Sequence, residues 1–331
     1  MDKDNTILLT GAAGFIGSYL LGYLNRKGYQ NVIIVDDFSE EDKWFNFDGK
    51  QFIAKVEREE LFDWLKKNDE KIDPIAIGFV FHLGARTDTA EFDYSVHEKL
   101  NVEYSKNIWY YCTGKNIPLI YASSAATYGS GELGYKDDHA IVEQLQPLNP
   151  YGVSKNEFDK WALRQDKLPP FWAGLKFFNV YGPNEYHKGR MASMVYHGFN
   201  QIKKTGKVKL FKSHKPEFRD GGQLRDFIYV EDVAKVCYWL MNNSIESGLY
   251  NLGTGRAKTF DDLIKATFTG LGKEAVIEYI DMTEDIREKY QYFTEADMSK
   301  LRSAGYKDDF YSLEEGVKEY VTNFLAQKKY Y

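Results

Sequence analysis

The sequence predicts an α/β fold: a Rossmann-type doubly wound parallel sheet with a smaller α/β lobe. Three observations carry that prediction. A short apolar run, Thr6-Ile7-Leu8-Leu9-Thr10, leads directly into the glycine-rich stretch Gly11-Ala12-Ala13-Gly14-Phe15-Ile16-Gly17. Strand-like and helix-like segments then alternate through the first half, as a parallel sheet covered by helices requires. After Pro183 the alternation gives way to polar, glycine-containing loops and isolated loop–helix units.

The first run reads as a buried strand because it is apolar throughout. Gly11 permits a tight turn, Gly14 allows backbone N–H groups close to a pyrophosphate, and Gly17 lets helix and strand pack closely. Ser18-Tyr19-Leu20-Leu21-Gly22-Tyr23-Leu24 has helical apolar spacing, and the N-terminus of such a helix attracts anions. A second strand, Asn31-Val32-Ile33-Ile34-Val35, ends in Asp36-Asp37. An acid about twenty residues beyond the loop is placed for the hydroxyls of an adenosine ribose. Three glycines could merely turn the chain. The strand before them and the helix after them point to a dinucleotide site instead.

Ile77-Gly78-Phe79-Val80-Phe81-His82-Leu83 reads as a third buried strand, ending in Gly84-Ala85-Arg86-Thr87, and residues 101–112 as a helix. Pro118-Leu119-Ile120-Tyr121-Ala122-Ser123-Ser124 is a strand with hydroxyls at its end, and Gly174-Leu175-Lys176-Phe177-Phe178-Asn179-Val180 another. Ligands of open α/β sheets lie beyond the carboxyl ends of the strands, so Gly84, Ala85, Arg86, Thr87, Ser123 and Ser124 are expected to face the cofactor. Residues 184–190 read as a polar loop, 191–204 as a helix and 212–223 as a charged loop. Residues 225–233 return to strand and helix, and 251–270 form a loop–helix unit. The expected division is a dinucleotide-binding domain of residues 1–180 with 225–250, and a substrate lobe of 181–224 with 251–331.

In Asn149-Pro150-Tyr151-Gly152-Val153-Ser154-Lys155, Tyr151 and Lys155 stand four residues apart, on one face of a helix. A free phenol has a pKa of roughly 10. A neighbouring ammonium favours the phenolate, which would make Tyr151 a proton acceptor near neutral pH. An isolated Tyr-x-x-x-Lys is most often a solvated helix face; downstream of a dinucleotide loop it specifies a chemistry.

Composition narrows the class. Hydrophobic residues make up 43% of 331, enough for a sizeable core, and the net charge of −6 offers no electrostatic case for nucleic acid. Two cysteines, Cys112 and Cys237, give no disulfide framework. No stretch approaches the roughly 20 apolar residues of a membrane span, and Met1-Asp2-Lys3-Asp4-Asn5 is too polar for a signal peptide. A soluble, cytoplasmic protein is expected. Six scattered histidines give no metal-ligand cluster.

These elements, with His82-Leu83-Gly84-Ala85, Ser123-Ser124-Ala125-Ala126-Thr127-Tyr128-Gly129 and Phe178-Asn179-Val180-Tyr181-Gly182-Pro183, resemble the extended short-chain dehydrogenase/reductase superfamily, in order over most of the chain. Glu185-Tyr186-His187-Lys188-Gly189-Arg190-Met191-Ala192-Ser193, Arg225-Asp226-Phe227, residues 251–256 and Tyr290-Gln291-Tyr292-Phe293-Thr294-Glu295-Ala296-Asp297 are similar more narrowly to the ADP-glycero-manno-heptose 6-epimerase family. That resemblance implies inversion at C6 of ADP-D-glycero-D-manno-heptose, giving the L-glycero form for the inner core of lipopolysaccharide. It would proceed through a transient ketone with tightly bound NAD or NADP, because the carbinol C–H is too weak an acid for direct proton abstraction.

By the same resemblance Ser124 holds the reacting oxygen, Tyr151 exchanges its proton, Lys155 supports Tyr151, and Lys188 is a second base for the other face. The implied cofactor set is Gly11, Gly14, Phe15, Ile16, Gly17, Asp36, Asp37, Lys43, Arg58, Leu83, Gly84, Ala85, Arg86, Thr87, Asn101, Tyr151, Lys155, Val180 and Lys188. Asn179, Arg190, His197, Phe211, Arg225 and Tyr290 match positions that hold the ADP-sugar. Arg225 is the strongest of these physically, since a guanidinium fork suits diphosphate oxygens; its bland alternative is a pair with Asp226 or Glu231. Arg190 departs from the family's serine, and Asp37 from its asparagine. Two adjacent carboxylates repel a 2′-phosphate, so the electrostatics favour NAD against the family's habit of NADP. Relatives assemble as rings, so a homo-oligomer is expected.

Two rival readings follow from the same residues. One is another nucleotide-sugar 4-epimerase or dehydratase; Ala125-Ala126 after Ser124, where dehydratases usually carry acids, disfavours elimination. The other is a dinucleotide-binding redox sensor without turnover, which the retained Tyr151 and Lys155 disfavour.

Overall fold

A computed structural model describes residues 1–71, 75–287 and 290–331. The strands are β1 (Thr6–Thr10), β2 (Val32–Asp36), β3 (Ala54–Glu57), β4 (Ile77–His82), β5 (Leu119–Ser124), β6 (Trp172–Phe177), β7 (Asn179–Tyr181), β8 (Val208–Phe211), β9 (Leu224–Arg225), β10 (Phe227–Tyr229), β11 (Gly248–Leu252), β12 (Lys258–Thr259) and β13 (Ile277–Ile280). The longer helices are α1 (Phe15–Arg26), α2 (Leu61–Asp69), α3 (Tyr104–Lys115), α4 (Pro150–Leu163), α5 (Met194–Thr205), α6 (Val230–Asn242), α7 (Phe260–Gly270) and α8 (Leu313–Tyr320).

Seven strands form one parallel sheet in the order β11-β6-β5-β4-β1-β2-β3. Their alternation explains why the runs are apolar throughout. Ile7 and Leu9 of β1 join a core with Tyr19 and Leu20 of α1 and Val233 of α6. Leu8 between them faces the opposite core, with Ile33, Ile108, Trp109 and Phe158. A sheet covered on both faces buries every residue of such a strand, and β1 and β2 are buried throughout. The Rossmann-type doubly wound fold read from the sequence is the fold observed.

The strand order reverses beside β1, which pairs with β2 on one side and β4 on the other. That reversal opens a crevice at the carboxyl ends of these strands. Outside the sheet lie three small pairs, β7 with β10, β9 with β12 and β8 with β13.

Two local expectations need correction, and one strand went unread. The apolar run 174–180 is two strands in two sheets, because Phe178 N–H donates to Leu252 O (3.1 Å) and Asn179 N–H to Asp226 O (3.0 Å), carrying the chain across. Residues 101–112 are not one helix: a π-helical turn spans Glu98–Glu103 before α3. The edge strand β3 had no apolar run to announce it, since only Val56 is buried.

Candidate active site

The glycine loop closes over the end of β1. Gly11 adopts φ +71°, and a Cβ there would sit 2.6 Å from Gly84 N; one on Gly17 would collide with the Gly11 carbonyl. Loop, α1 and the β4 end thus touch backbone to backbone. The N-terminus of α1 carries no side-chain cap and no acid in its first turn, so its N–H groups are available to an anion. These features border a cavity of about 480 Å³, lined among others by Phe15, Ile16, Asp36, Asp37, Leu83 and residues 84–88. An open helix terminus, a crowded glycine turn and an acidic strand end fit a dinucleotide.

Asp36 does more than reach for a ribose. Its Oδ2 accepts Ala13 N–H (2.9 Å) and Gly14 N–H (3.2 Å), and its Oδ1 accepts Asp37 N–H (2.8 Å). Gly14 N–H, expected to face a pyrophosphate, is therefore engaged by Asp36. Lys43 lies 3.6 Å from Asp36 and Arg58 3.5 Å from Asp37, so the two cations of the implied cofactor set that could meet a 2′-phosphate already face carboxylates. Ser39 bonds hold the Asp37 carboxyl below its usual range.

Beneath the crevice, His82 Nδ1 is bonded to Thr10 Oγ1 (2.7 Å) and Nε2 to Ser105 Oγ (2.9 Å). Burial, aided by Lys155, pushes this imidazole down to about 3, so it is neutral. Asn101 is wholly buried behind the groove rather than in it. Its Oδ1 accepts Arg86 N–H (2.8 Å), and its amide donates to Arg86 O (3.0 Å) and Ser154 Oγ (2.9 Å). The π-helical turn is what brings it there. Val180 is half-buried on β7 and does not line the cavity.

Asn149 caps α4 through Gly152 N–H (2.8 Å), with Pro150 opening the helix. Tyr151 and Lys155 thereby occupy its first turns beside the end of β5. Ser124 Oγ accepts Ala126 N–H (3.1 Å) and so caps a short turn, while also sharing a hydrogen bond with Tyr151. The expected depression of Tyr151 is not observed: desolvation raises its pKa, and the Ser124 hydrogen bond only partly opposes this. Lys155 Nζ donates to Ala122 O (2.8 Å), toward the strand. Burial lowers Lys155 to about 8, with Asp159 opposing.

Lys188 lies in the turn Tyr186–Met191, its Nζ 5.4 Å from the Phe15 ring. Desolvation lowers its pKa, against Glu185, which is the condition a lysine base requires. Glu185 is fully buried and accepts Ser193 Oγ–H (2.7 Å). Arg190, expected on the ADP-sugar, instead grips Asp88 through both carboxylate oxygens (2.7 and 2.9 Å) at the rim of the dinucleotide cavity. Asp88, ionised and close, outcompetes a more distant anion.

A second cavity of about 650 Å³ lies in the smaller lobe, and it brings together His197, Phe211 and Tyr290 with Met194, Gln223, Phe260 and Ile280. Lys204 and Lys209 also border it. Arg225 is buried, donates to Leu224 O (2.9 Å) and Gln291 O, and stacks over Phe260 (5.7 Å) and Tyr290 (5.4 Å). Asp226 is not its partner, being bonded to Thr254, Gly255 and Ala296 N–H groups. Glu231 accepts from Tyr19 instead. Among the described residues no carboxylate pairs with Arg225, leaving a buried cation beside the slot. Asn179 is exposed on β7. Phe260 and Gln223 escaped sequence reading because isolated apolar and amide residues carry no motif; the adjoining Arg225-Asp226 was the only signal nearby. Residues 187–191 border the first cavity and 194–197 the second, so one stretch joins them.

Comparison with known proteins agrees with this geometry. Residues 7–253 match the model of the NAD dependent epimerase/dehydratase family. The chain is 49% identical to the ADP-L-glycero-D-manno-heptose-6-epimerase of Fusobacterium nucleatum, over 98% of this chain and 99% of the relative. It is 46% identical to that of Nitratidesulfovibrio vulgaris, over 96% and 98%. The crystal structure of the Helicobacter pylori ADP-L-glycero-D-manno-heptose-6-epimerase superposes with a TM-score of 0.80 at 28% identity, covering 97% of each chain.

Proposed function

The chain belongs to the NAD dependent epimerase/dehydratase family, among the ADP-L-glycero-D-manno-heptose-6-epimerases, and from that premise we propose how its residues divide the reaction. It is an isomerase that inverts C6 of ADP-D-glycero-D-manno-heptose, supplying the heptose of the lipopolysaccharide inner core. The nicotinamide, when bound, supplies reversible hydride acceptance at the sugar carbon. The open N-terminus of α1, the Gly11–Gly84 contact and the Asp36-Asp37 strand end hold the dinucleotide. Ser124 hydrogen-bonds the reacting hydroxyl, and Tyr151 takes and returns its proton. Lys155, buried one helical turn along α4 and donating to Ala122 O, stands beside Tyr151 to hold the nicotinamide ribose, while burial keeps the Tyr151 phenol protonated. Lys188, approaching from the turn 186–191, serves as acid and base for the opposite face.

The observation that carries this division is Lys188: a lysine desolvated against Phe15 of the glycine loop, on a different element from Tyr151. Inversion needs proton carriers on two sides: Lys188 lines the groove from the turn 186–191, and Tyr151 stands in the first turn of α4 beside the end of β5. Buried Arg225, with Phe260 and Tyr290, binds the ADP diphosphate beside the second cavity. The cofactor is NAD rather than NADP: Asp37 is held ionised, and Lys43 and Arg58 face the two carboxylates. No described helix is long and apolar enough to cross a membrane. A cytoplasmic homo-oligomer suits the soluble substrate and exposed aromatics such as Phe92 and Tyr110.

Incubating the protein with ADP-D-glycero-D-manno-heptose and following the C6 proton by NMR tests the reading. Conversion to the L-glycero epimer without added reductant is expected. No conversion by cofactor-replete protein, with turnover of UDP-galactose instead, would replace it with a 4-epimerase.

A further inference from the structure

Tyr151, Lys155 and Asp159 recur every four residues along α4, placing three polar side chains on the face turned to the sheet. The mechanism uses the first two. Asp159 and Lys176 of β6 are both fully buried, 2.7 Å apart. Asp159 also accepts the Tyr121 hydroxyl (3.0 Å) and the Ser123 hydroxyl (2.6 Å). Lys176 Nζ donates to Thr127 Oγ1 (2.8 Å), whose own hydroxyl donates to Ser124 O (2.8 Å). Lys155 donates to Ala122 O, the one position of 121–124 that the pair does not reach. Three of the last four residues of β5 are therefore bonded into the cluster built on the pair, and the fourth is bonded to Lys155 of the same helix.

We propose that the Asp159–Lys176 pair is a positioning element for the reaction, locking the end of β5 against α4 so that Ser124 stands in fixed register with Tyr151 and Lys155. The inference rests on the catalytic assignment of those three residues. Stability alone is a weak reason for such a pair, because desolvating two charges costs about as much as their attraction returns. Fixing a register is the use that justifies it. Catalysis is sensitive to that register, since displacing a reacting group by roughly 1 Å costs about 100-fold in rate.

The pair also has an electrostatic reach. Asp159 favours the protonated forms of both Lys155 and Tyr151. The other titratable groups around this cluster are His82 from β4, neutral in the fold, Tyr121 from β5, Lys176 from β6, His139, whose protonated form Asp159 also favours, and His97, whose ring lies 6.3 Å from Tyr151. Tyr128 lies under Lys176 at 5.1 Å. Removing the Asp159 charge therefore lowers the proton affinity of both Lys155 and Tyr151, moving both limbs of the kcat profile to lower pH.

The test measures kcat, KM, pH profile, thermal melting and bound cofactor for Asp159→Asn, Ser123→Ala, Lys176→Met and Lys176→Arg. Asp159→Asn should lose about 100-fold in kcat, keep its KM and cofactor content, and show a profile displaced toward acid. Ser123→Ala, a milder cut, should lose about tenfold, or 1.4 kcal/mol of barrier. Lys176→Arg should recover what Lys176→Met loses. A folded Asp159→Asn with the parent's kcat and profile overturns the proposal; if that variant fails to fold, an unimpaired Ser123→Ala overturns it. Full turnover by Tyr151→Phe would instead overturn the catalytic assignment beneath it, so the two failures are distinguishable.

Discussion

The two cavities are built by opposite means. The dinucleotide groove is polar and motif-coded, assembled where β1, β2 and β4 end, with glycines, backbone N–H groups and a pair of acids. The slot in the smaller lobe is walled by apolar and polar side chains together, from α5, β8, α7, β13 and the segment at Tyr290, with Lys204 and Lys209 at its border and the buried Arg225 guanidinium behind it. Charge in the groove is already matched, Lys43 to Asp36 and Arg58 to Asp37. The Arg225 charge beside the slot is not: among the described residues it meets only carbonyls and ring faces. A matched site selects among ligands, whereas an unmatched buried cation has affinity in reserve for an anion. The comparison therefore predicts changes in chemistry and cofactor choice on one side, and changes in substrate affinity on the other.

The largest effects belong to the proton carriers at the groove. Tyr151→Phe and Lys188→Met should each lower epimerisation about 1000-fold while leaving cofactor retention intact, measured by NMR turnover and by extracting the cofactor. Near-normal turnover of Lys188→Met would remove the two-sided scheme. On the slot side, Arg225→Met should raise KM about 30-fold with little change in kcat, the loss of charge-assisted bonds worth roughly 2 kcal/mol. A fall in kcat at constant KM would put Arg225 with the chemistry instead.

The floor of the groove should also be acid-sensitive. His82 is pushed to about 3 in the fold, below the roughly 6.5 of an unfolded histidine. Between those values the unfolded chain binds the extra proton, so stability falls as pH drops through that window, by up to about 1.4 kcal/mol per pH unit. Urea melts of His82→Gln should show a shallower slope. An unchanged slope would mean that other groups dominate.

Asp37→Asn should shift the NAD-to-NADP affinity ratio about tenfold toward NADP, since one ionised carboxylate facing a phosphate is worth roughly 1.4 kcal/mol. Titration calorimetry with both cofactors reads this directly. The smallest effect is expected from Arg190→Ser. An exposed ion pair contributes about 1 kcal/mol or less, so KM should change by less than about fivefold. A larger rise would restore Arg190 to the substrate.

Much of the groove was legible because its parts are local. Gly11, Gly14 and Gly17 sit within seven residues, and Tyr151 and Lys155 within one turn. The Tyr151 pKa was misread because spacing shows that Lys155 lies on the same face, but not that its ammonium turns to Ala122 while burial raises the phenol. Asn101 was placed in the groove when it stands behind it, since a π-helical turn leaves no mark in an apolar pattern. The run through Phe178 looked like one strand, because alternating burial does not reveal which sheet each half joins.

By itself the sequence determined the strand–loop–helix units and the doubly wound sheet, and it named the candidate side chains for the chemistry. Those follow from periodicity and from residues close in the chain, whose geometry the backbone dictates. Only the tertiary structure decided that Arg190 grips Asp88, that Arg225 lies against Phe260 and Tyr290, and that Asp159 meets Lys176 beneath Ser124. Each joins distant segments, and partner choice there depends on packing and desolvation, which no local spacing encodes.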